Sequence, residues 1–148
     1  MRYATFPTPE EAAMDGFPGT ACRVVASARE GDDAYVLLDT GPEGHPYLYG
    51  GSVTREDAGW VERTSGNGAG WSLTDAEHDL GTLTVWGEAP KGAVRVRVCF
   101  RGEPREAPVA NGVYLVAWWR VPCPDQHPRV EAFRIDGRWV PGTWSAGM

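Results

Sequence analysis

Apolar and polar residues alternate with a period of two along most of the chain, as they do in strands that bury one face. Gly, Asp, Asn and Pro separate the alternating stretches, which is typical of turns between strands. No stretch is long enough for the crossover helix of a parallel sheet. We therefore predict an antiparallel, all-β fold with ten strands, at 20–29, 34–39, 46–50, 59–64, 81–88, 93–101, 105–110, 112–121, 129–135 and 138–143.

Two architectures satisfy this pattern, a β-sandwich and a partly open barrel, each of about 8–10 short strands. We favour the sandwich. A chain of 148 residues fits a single domain, residues 1–148. Within it we expect two half-meanders, at about 17–64 and 80–143, which are joined by a Gly/Ser-rich loop at 64–72.

A short helix is predicted near the N-terminus, in the stretch TPEEAAMDGFP. Thr8 is a favourable N-cap, and Pro9 suits the first helical position. Glu11 completes a capping box with Thr8, and Gly16 suits the position after the last turn. These signals predict a helix over residues 9–15.

The faces of the strands in the second half follow from parity, because a slip of one residue sends every apolar side chain to the wrong face. We expect consecutive hairpins in which Val85 faces Val96, and turns at Gly102-Glu103 and Asn111-Gly112. The predicted core face is Leu83, Val85, Val96, Val98, Phe100, Ala107, Val109, Tyr114, Val116 and Trp118. The opposite face is Thr82, Thr84, Trp86, Arg95, Arg97, Cys99, Glu106, Leu115 and Trp119.

The third of these strands contains Pro104 and Pro108, which cannot donate hydrogen bonds to a neighbouring strand. We therefore expect this strand to be short, bulged or at the edge of a sheet.

The opposite face is the candidate binding surface, because a solvated face would not normally carry two tryptophans and a leucine. Trp86 is predicted to lie opposite Arg95, with Arg97 beside it, and Trp119 lies toward the other end of the face. An aromatic ring flanked by arginine can stack on a ligand or on a side chain of a partner. The alternative is cross-strand packing, since the chain has seven Trp and strands use aromatic residues in this way. The candidate ligand- or partner-binding residues are Trp86, Arg95, Arg97 and Trp119.

The net charge of −6 argues against binding to nucleic acid or to an anionic membrane. Residues 1–90 carry 5 Arg and 15 Asp or Glu, whereas residues 91–148 carry 9 basic and 5 acidic residues. This asymmetry fits attraction between two layers of one fold, head-to-tail self-association, or an anionic ligand on the basic half. The N-terminal residues contain no apolar core of a secretory signal, and no apolar stretch approaches the ~20 residues that span a bilayer. We expect a cytoplasmic protein.

Three widely spaced cysteines, Cys22, Cys99 and Cys123, form no CxxC pair and are expected to be reduced thiols. Cys123 and His127 form a weak Cys/His pair. The surrounding prolines favour the interpretation that this stretch is a rigid turn.

The turn DAEHD is the other candidate for chemistry, because Asp75, Glu77, His78 and Asp79 lie next to the Gly-rich loop. Thr74 could cap a helical turn there, and charge runs of this kind are usually solvated. We identify no catalytic residue, no metal ligand and no cofactor. The leading hypothesis is a binding module for a protein partner or small ligand. The alternatives are a small enzyme with a pocket at this turn and a self-associating homo-oligomer.

Overall fold

The structure is a computed structural model that describes residues 5–15, 17, 22–42, 45, 47–66, 70–134 and 136–141. The chain divides into two compact units, Met1–Gly68 and Ala69–Met148. The boundary falls in the predicted Gly/Ser-rich loop. The prediction of one domain over residues 1–148 stays a prediction, and the two units are described separately.

Unit 1 is an antiparallel meander with one helix. The helix α1 spans Pro9–Met14, and the strands are β1 (Arg23–Glu30), β2 (Asp33–Asp39), β3 (Leu48–Glu56) and β4 (Gly59–Gly66), in the sheet order β1-β2-β3-β4. The predicted helix is confirmed, since the Glu11 amide donates to Thr8 Oγ1 (3.2 Å) and Pro9 occupies the first turn. Strand β3 extends beyond the predicted 46–50 because it pairs along its length with β2 and β4.

A buried carboxylate holds the connection between β2 and β3. Asp39 Oδ1 accepts hydrogen bonds from the amides of Gly41 (2.9 Å) and Tyr47 (3.0 Å), and Oδ2 accepts one from Arg23 (3.0 Å). Burial alone would raise the pKa of Asp39. The backbone hydrogen bonds and the Arg23 guanidinium outweigh burial, so the pKa lies below its ordinary value.

Unit 2 contains two antiparallel sheets. Its strands are β5 (Gly70–Asp75), β6 (Leu80–Glu88), β7 (Ala93–Phe100), β8 (Glu103–Pro108), β9 (Val113–Val121), β10 (Arg129–Arg134) and β11 (Trp139–Pro141). The sheet orders are β5-β6-β9 and β11-β10-β7-β8. One core receives side chains from both sheets, namely Leu83, Val85, Val96, Val98, Phe100, Tyr114, Val116, Trp118 and Ala132. Unit 2 is therefore a two-layered sandwich of open sheets, and the predicted all-β antiparallel class is confirmed.

The predicted core face and the predicted β7–β8 hairpin are confirmed, but the predicted β6–β7 and β8–β9 hairpins are wrong. Strand β6 pairs with β9, whereas β7 pairs with β10 and β8. Val85 therefore lies opposite Val116 rather than Val96. Parity cannot separate these arrangements, since any antiparallel partner that keeps the parity buries the same side chains.

Two turns explain where the predicted register fails. Arg101 and Gly102 both have positive φ (52° and 79°), so the β7–β8 turn closes one residue earlier than expected and Val96 faces Ala107. The predicted Asn111-Gly112 turn is present, with φ of 56° and 76°, as a type I′ turn requires. Beyond the single bridge between Ala110 and Val113, however, the chain passes from one sheet into the other.

The side chain of Arg105 links these two sheets. Its Nη1 donates to the carbonyl oxygen of Ala117 (2.6 Å), and its Cζ lies 5.0 Å from the centre of the Trp118 ring. Arg105 and Trp118 therefore meet through side chains and not through a strand ladder.

Strand β5 and the turn after it correct two further predictions. Residues 70–72 belong to β5 rather than to a loop, and the stretch after Thr74 is a hairpin turn with Asp79 at φ 57° rather than a helical turn. Trp71 holds β5 against the sheet. Its ring packs over Gly81 of β6, and its Nε1 donates to the carbonyl oxygen of Val121 (3.0 Å).

The adjacent tryptophans Trp118 and Trp119 are both buried, with 2% and 8% exposure. Trp118 belongs to the core, as predicted. Trp119 lies in a β-bulge, where it and Arg120 together oppose Thr82, and Arg120 takes a φ of 57°.

Strand β8 is an edge strand, as its prolines predicted. Just beyond the end of β8, the Val109 amide donates to the carbonyl oxygen of Val94 on the β7 side (3.0 Å). Backbone amides of a strand point alternately to its two sides, so this bond shows which amides of β8 point toward β7 and which point away. The backbone nitrogens of Pro104, Glu106 and Pro108 therefore point to the free edge of the sheet. Of these three, only Glu106 carries an N–H group. This arrangement protects the edge from pairing with another strand.

Among the described residues, no helix is long and apolar enough to cross a lipid bilayer.

Candidate functional site

The outer face of the β11-β10-β7-β8 sheet carries three cross-strand rows that centre on β7. Alternation places Arg95, Arg97 and Cys99 on this face, opposite the buried Val96 and Val98. The rows, read from β10 through β7 to β8, are Phe133–Arg95–Pro108, Glu131–Arg97–Glu106 and Arg129–Cys99–Pro104.

The two predicted arginines of this face are bound to their neighbours. Arg97 Nη2 lies 3.1 Å from Glu131 Oε2, and Arg95 Nε lies 3.7 Å from Glu106 Oε1. The Arg95 guanidinium also stacks on Phe133, with its Cζ 4.3 Å from the ring centre. These contacts hold β7 to its neighbours, and as partly exposed ion pairs each stabilises the sheet by at most about 1 kcal/mol.

The predicted tryptophans lie in the other sheet. Trp86 of β6 pairs with Leu115, so the expected position opposite Arg95 is wrong. Trp86 and Trp119 are 4% and 8% exposed. The structure thus brings Arg95 and Arg97 together on one sheet and places the two tryptophans on another. A role of the tryptophans in binding stays a prediction.

A cleft of about 860 Å³ opens at one end of the Arg-bearing face, at the row that contains Cys99. The β7–β8 turn, the segment 122–128 and the start of β10 line it. We call it the β7–β10 cleft and define it by Arg97, Cys99, Arg101, Cys123, Asp125, His127, Arg129 and Glu131.

The charges of the β7–β10 cleft are unevenly paired. Arg97 is engaged by Glu131 (3.1 Å). Arg101 and Arg129 are exposed, and within the described part of the chain neither has a hydrogen bond or an ion pair from its side chain. Asp125 also lines the cleft and forms no ion pair with a described residue. Arg101, Arg129 and Asp125 thus leave the cleft with one net positive charge, which favours anions over cations.

Two free thiols share this cleft. Cys99 is half-buried on β7, and Cys123 is exposed in the segment after β9. The third thiol, Cys22, is half-buried in unit 1. Cys123 and His127 both line the cleft, in a segment that also contains Pro122, Pro124 and Pro128.

The acidic turn 75–79 has a structural explanation. His78 Nδ1 lies 2.8 Å from Asp75 Oδ2, and the His78 amide donates to Asp75 Oδ1 (3.3 Å). The hydrogen bond from the His78 side chain lowers the pKa of Asp75. The described residues contain no group of three or more His, Cys, Asp or Glu side chains that could hold a metal ion.

A smaller cavity of about 280 Å³ lies in unit 1 beside Trp60. The arginine that lines it, Arg29, is already engaged, as is Arg55 on the same tryptophan. Arg29 lies over the Trp60 ring at 4.7 Å and donates to Gly31, whereas Arg55 lies 5.7 Å from the same ring and binds Asp32. This cavity is therefore a weaker candidate for a ligand than the β7–β10 cleft.

No protein-family model, curated protein or solved structure matches the chain. The functional argument therefore rests on the residues and their geometry.

Proposed function

We propose that the protein is a non-enzymatic binding module and that its β7–β10 cleft binds a small ligand with a carboxylate or phosphate group. The observation that supports this proposal is the pair Arg101 and Arg129, which line one cleft and form no ion pair with a described residue. A guanidinium offers two parallel N–H donors to such a group, which gives both affinity and orientation.

The walls of the cleft favour a fixed shape. Pro104 and the prolines of the segment 122–128 restrict the backbone around it. A site that is already ordered loses less conformational entropy when it binds a ligand. The volume of about 860 Å³ is within the range of about 300–1,000 Å³ that is usual for small-molecule sites.

The paired Arg97 and Glu131 have a supporting role in this proposal. Their 3.1 Å ion pair neutralises the floor of the cleft, so the attraction for an anion centres on Arg101 and Arg129. Variants of these two arginines therefore give the sharpest test.

The test is isothermal titration calorimetry with two probes, succinate and pyrophosphate, at low ionic strength. The double variant R101A/R129A is compared with the wild type. A charge-assisted hydrogen bond of ~1.5 kcal/mol corresponds to about tenfold in affinity per arginine. We expect the double variant to lose at least about tenfold in affinity for either probe, and we expect wild-type affinity to fall as salt is added.

R138A is the matched control, because Arg138 is exposed, belongs to the same unit and does not line the cleft. It removes one positive charge from unit 2 and should leave the affinity within about twofold. Equal losses in R138A and in the single variant R101A, or no binding of either probe at millimolar concentration, would contradict the proposal.

A further inference from the structure

The β7–β10 cleft combines two features that the binding proposal uses only in part. Arg101 and Arg129 attract anions, and the free thiols of Cys99 and Cys123 line the same space. Cys123 is exposed, whereas Cys99 is half-buried and lies directly opposite Arg129 across the β7–β10 ladder. A nucleophile beside an anion-binding group acts preferentially on anionic reagents, because the charge raises their local concentration.

We propose that the cleft is a site of thiol–disulfide exchange with anionic disulfides, small molecules whose disulfide bond lies near a carboxylate. Arg101 and Arg129 hold the carboxylate. Cys123 reacts first because it is exposed, and the half-buried Cys99 reacts more slowly. This inference rests on the proposed function, since the same two arginines bind the ligand in both.

The exchange needs no reagent other than the disulfide itself. The Cys123 thiol releases its proton to water, and the thiolate attacks one sulfur of the bound disulfide. A bond forms between that sulfur and Cys123 Sγ, and the original S–S bond breaks. The second sulfur leaves with the electron pair as a thiolate, which takes a proton from water. The products are a mixed disulfide on Cys123 and one free thiol.

Selectivity for charge follows from electrostatics at the surface. Two unit charges ~6 Å apart in water attract each other enough to change a rate about threefold. Two arginines then accelerate the reaction of an anionic disulfide about tenfold over that of a neutral one. Salt reduces this advantage, because both arginines are exposed.

The test compares two chromogenic disulfides on the full chain. One is 5,5′-dithiobis(2-nitrobenzoate), which carries carboxylates, and the other is the neutral 4,4′-dithiodipyridine. Rates are followed by absorbance, and the reacting cysteine is assigned by peptide mass spectrometry. In R101A/R129A we expect the rate of Cys123 with the anionic reagent to fall about tenfold at low salt, while its rate with the neutral reagent changes less than twofold.

Two controls separate charge from disruption of the fold. R138A should change neither rate at Cys123, and Cys22, which does not line the cleft, should keep its ratio of anionic to neutral rates in every variant. An unchanged anionic rate in R101A/R129A, or an equal fall for both reagents, overturns the proposal.

The binding proposal has its own readout, the affinities of the wild type and of R101A/R129A for succinate, which involve no thiol chemistry. If the arginines control succinate binding but not the rate of exchange, the exchange proposal alone fails. If they control neither, both proposals fail.

Discussion

Replacing Gly81 with alanine tests the packing that defines the β5–β6 pair. Gly81 has no side chain, and this lets the Trp71 ring cross the strand and donate to the carbonyl oxygen of Val121 (3.0 Å). A β-carbon at Gly81 would overlap the carbonyl oxygen of Ser72 and lie 2.6 Å from Cε2 of Trp71. Because the nearest atom is backbone, the neighbouring strand or the ring has to move.

The expected cost has three parts. Forcing an extra methyl group into a packed site costs about 1–3 kcal/mol. Loss of the indole hydrogen bond adds about 1 kcal/mol. Alanine recovers about 0.4–1 kcal/mol by restricting the unfolded chain. We therefore expect G81A to lower the free energy of unfolding by about 1–3.5 kcal/mol.

Urea denaturation followed by circular dichroism measures this loss. G66A is the matched control, because a β-carbon at Gly66 meets no atom within 4 Å. It should raise the free energy of unfolding by about 0.4–1 kcal/mol, because only the restriction of the unfolded chain remains. W71F removes the indole N–H and should cost about 1 kcal/mol in the wild type but less in G81A, where that bond is already broken. A G81A variant as stable as the wild type would refute the role assigned to Gly81.

Two further predictions concern the charged loop of unit 1 and the edge of unit 2. D39N should lower stability by about 1–3 kcal/mol at pH 7, because a buried acceptor loses its charge. The folded pKa of Asp39 lies below the unfolded value of ~3.9, so its ionisation stabilises the fold above about pH 4, and this contribution disappears as the pH falls through the folded pKa. In urea titrations the difference between wild type and D39N should therefore shrink below pH 4, and a constant difference would contradict the assignment. P104T/P108T should add two outward amides to β8 and cause concentration-dependent association in sedimentation velocity; P124T, outside the strand, is the control, and a monomeric double variant would argue against edge protection.

The sequence specified which residues are buried in unit 2 better than it specified which strands are neighbours. The positions of Val85, Val96 and Trp118 in the core follow from alternation alone, and all three are buried. The alternation does not determine which strands pair with each other, because several antiparallel pairings share the same parity. The register of the β7–β8 hairpin depends on a positive φ at Arg101. This conformation is unusual for a residue that is not Gly, Asn or Asp, and the sequence pattern does not indicate it.

The candidate site was predictable only in part for a similar reason. Arg95 and Arg97 lie on an exposed face as alternation predicts, but their ion pairs with Glu106 and Glu131 depend on which strands flank β7. The β7–β10 cleft joins the β7–β8 turn to a segment some 20 residues later, so it exists only once the strand order is known. The one local signal was the run of prolines around Cys123, which indicated a rigid turn.

The most direct test of the central claim is to locate a bound anion on the protein. In a ¹H–¹⁵N correlation spectrum, titration with succinate at low salt should shift the amides of Arg101, Gly102 and Arg129 most, with one common dissociation constant. These shifts should be absent from R101A/R129A under the same conditions. Shifts that centre on Trp60 and Arg29 of the smaller cavity, or that spread evenly over both units, would contradict the assignment of the β7–β10 cleft as the binding site.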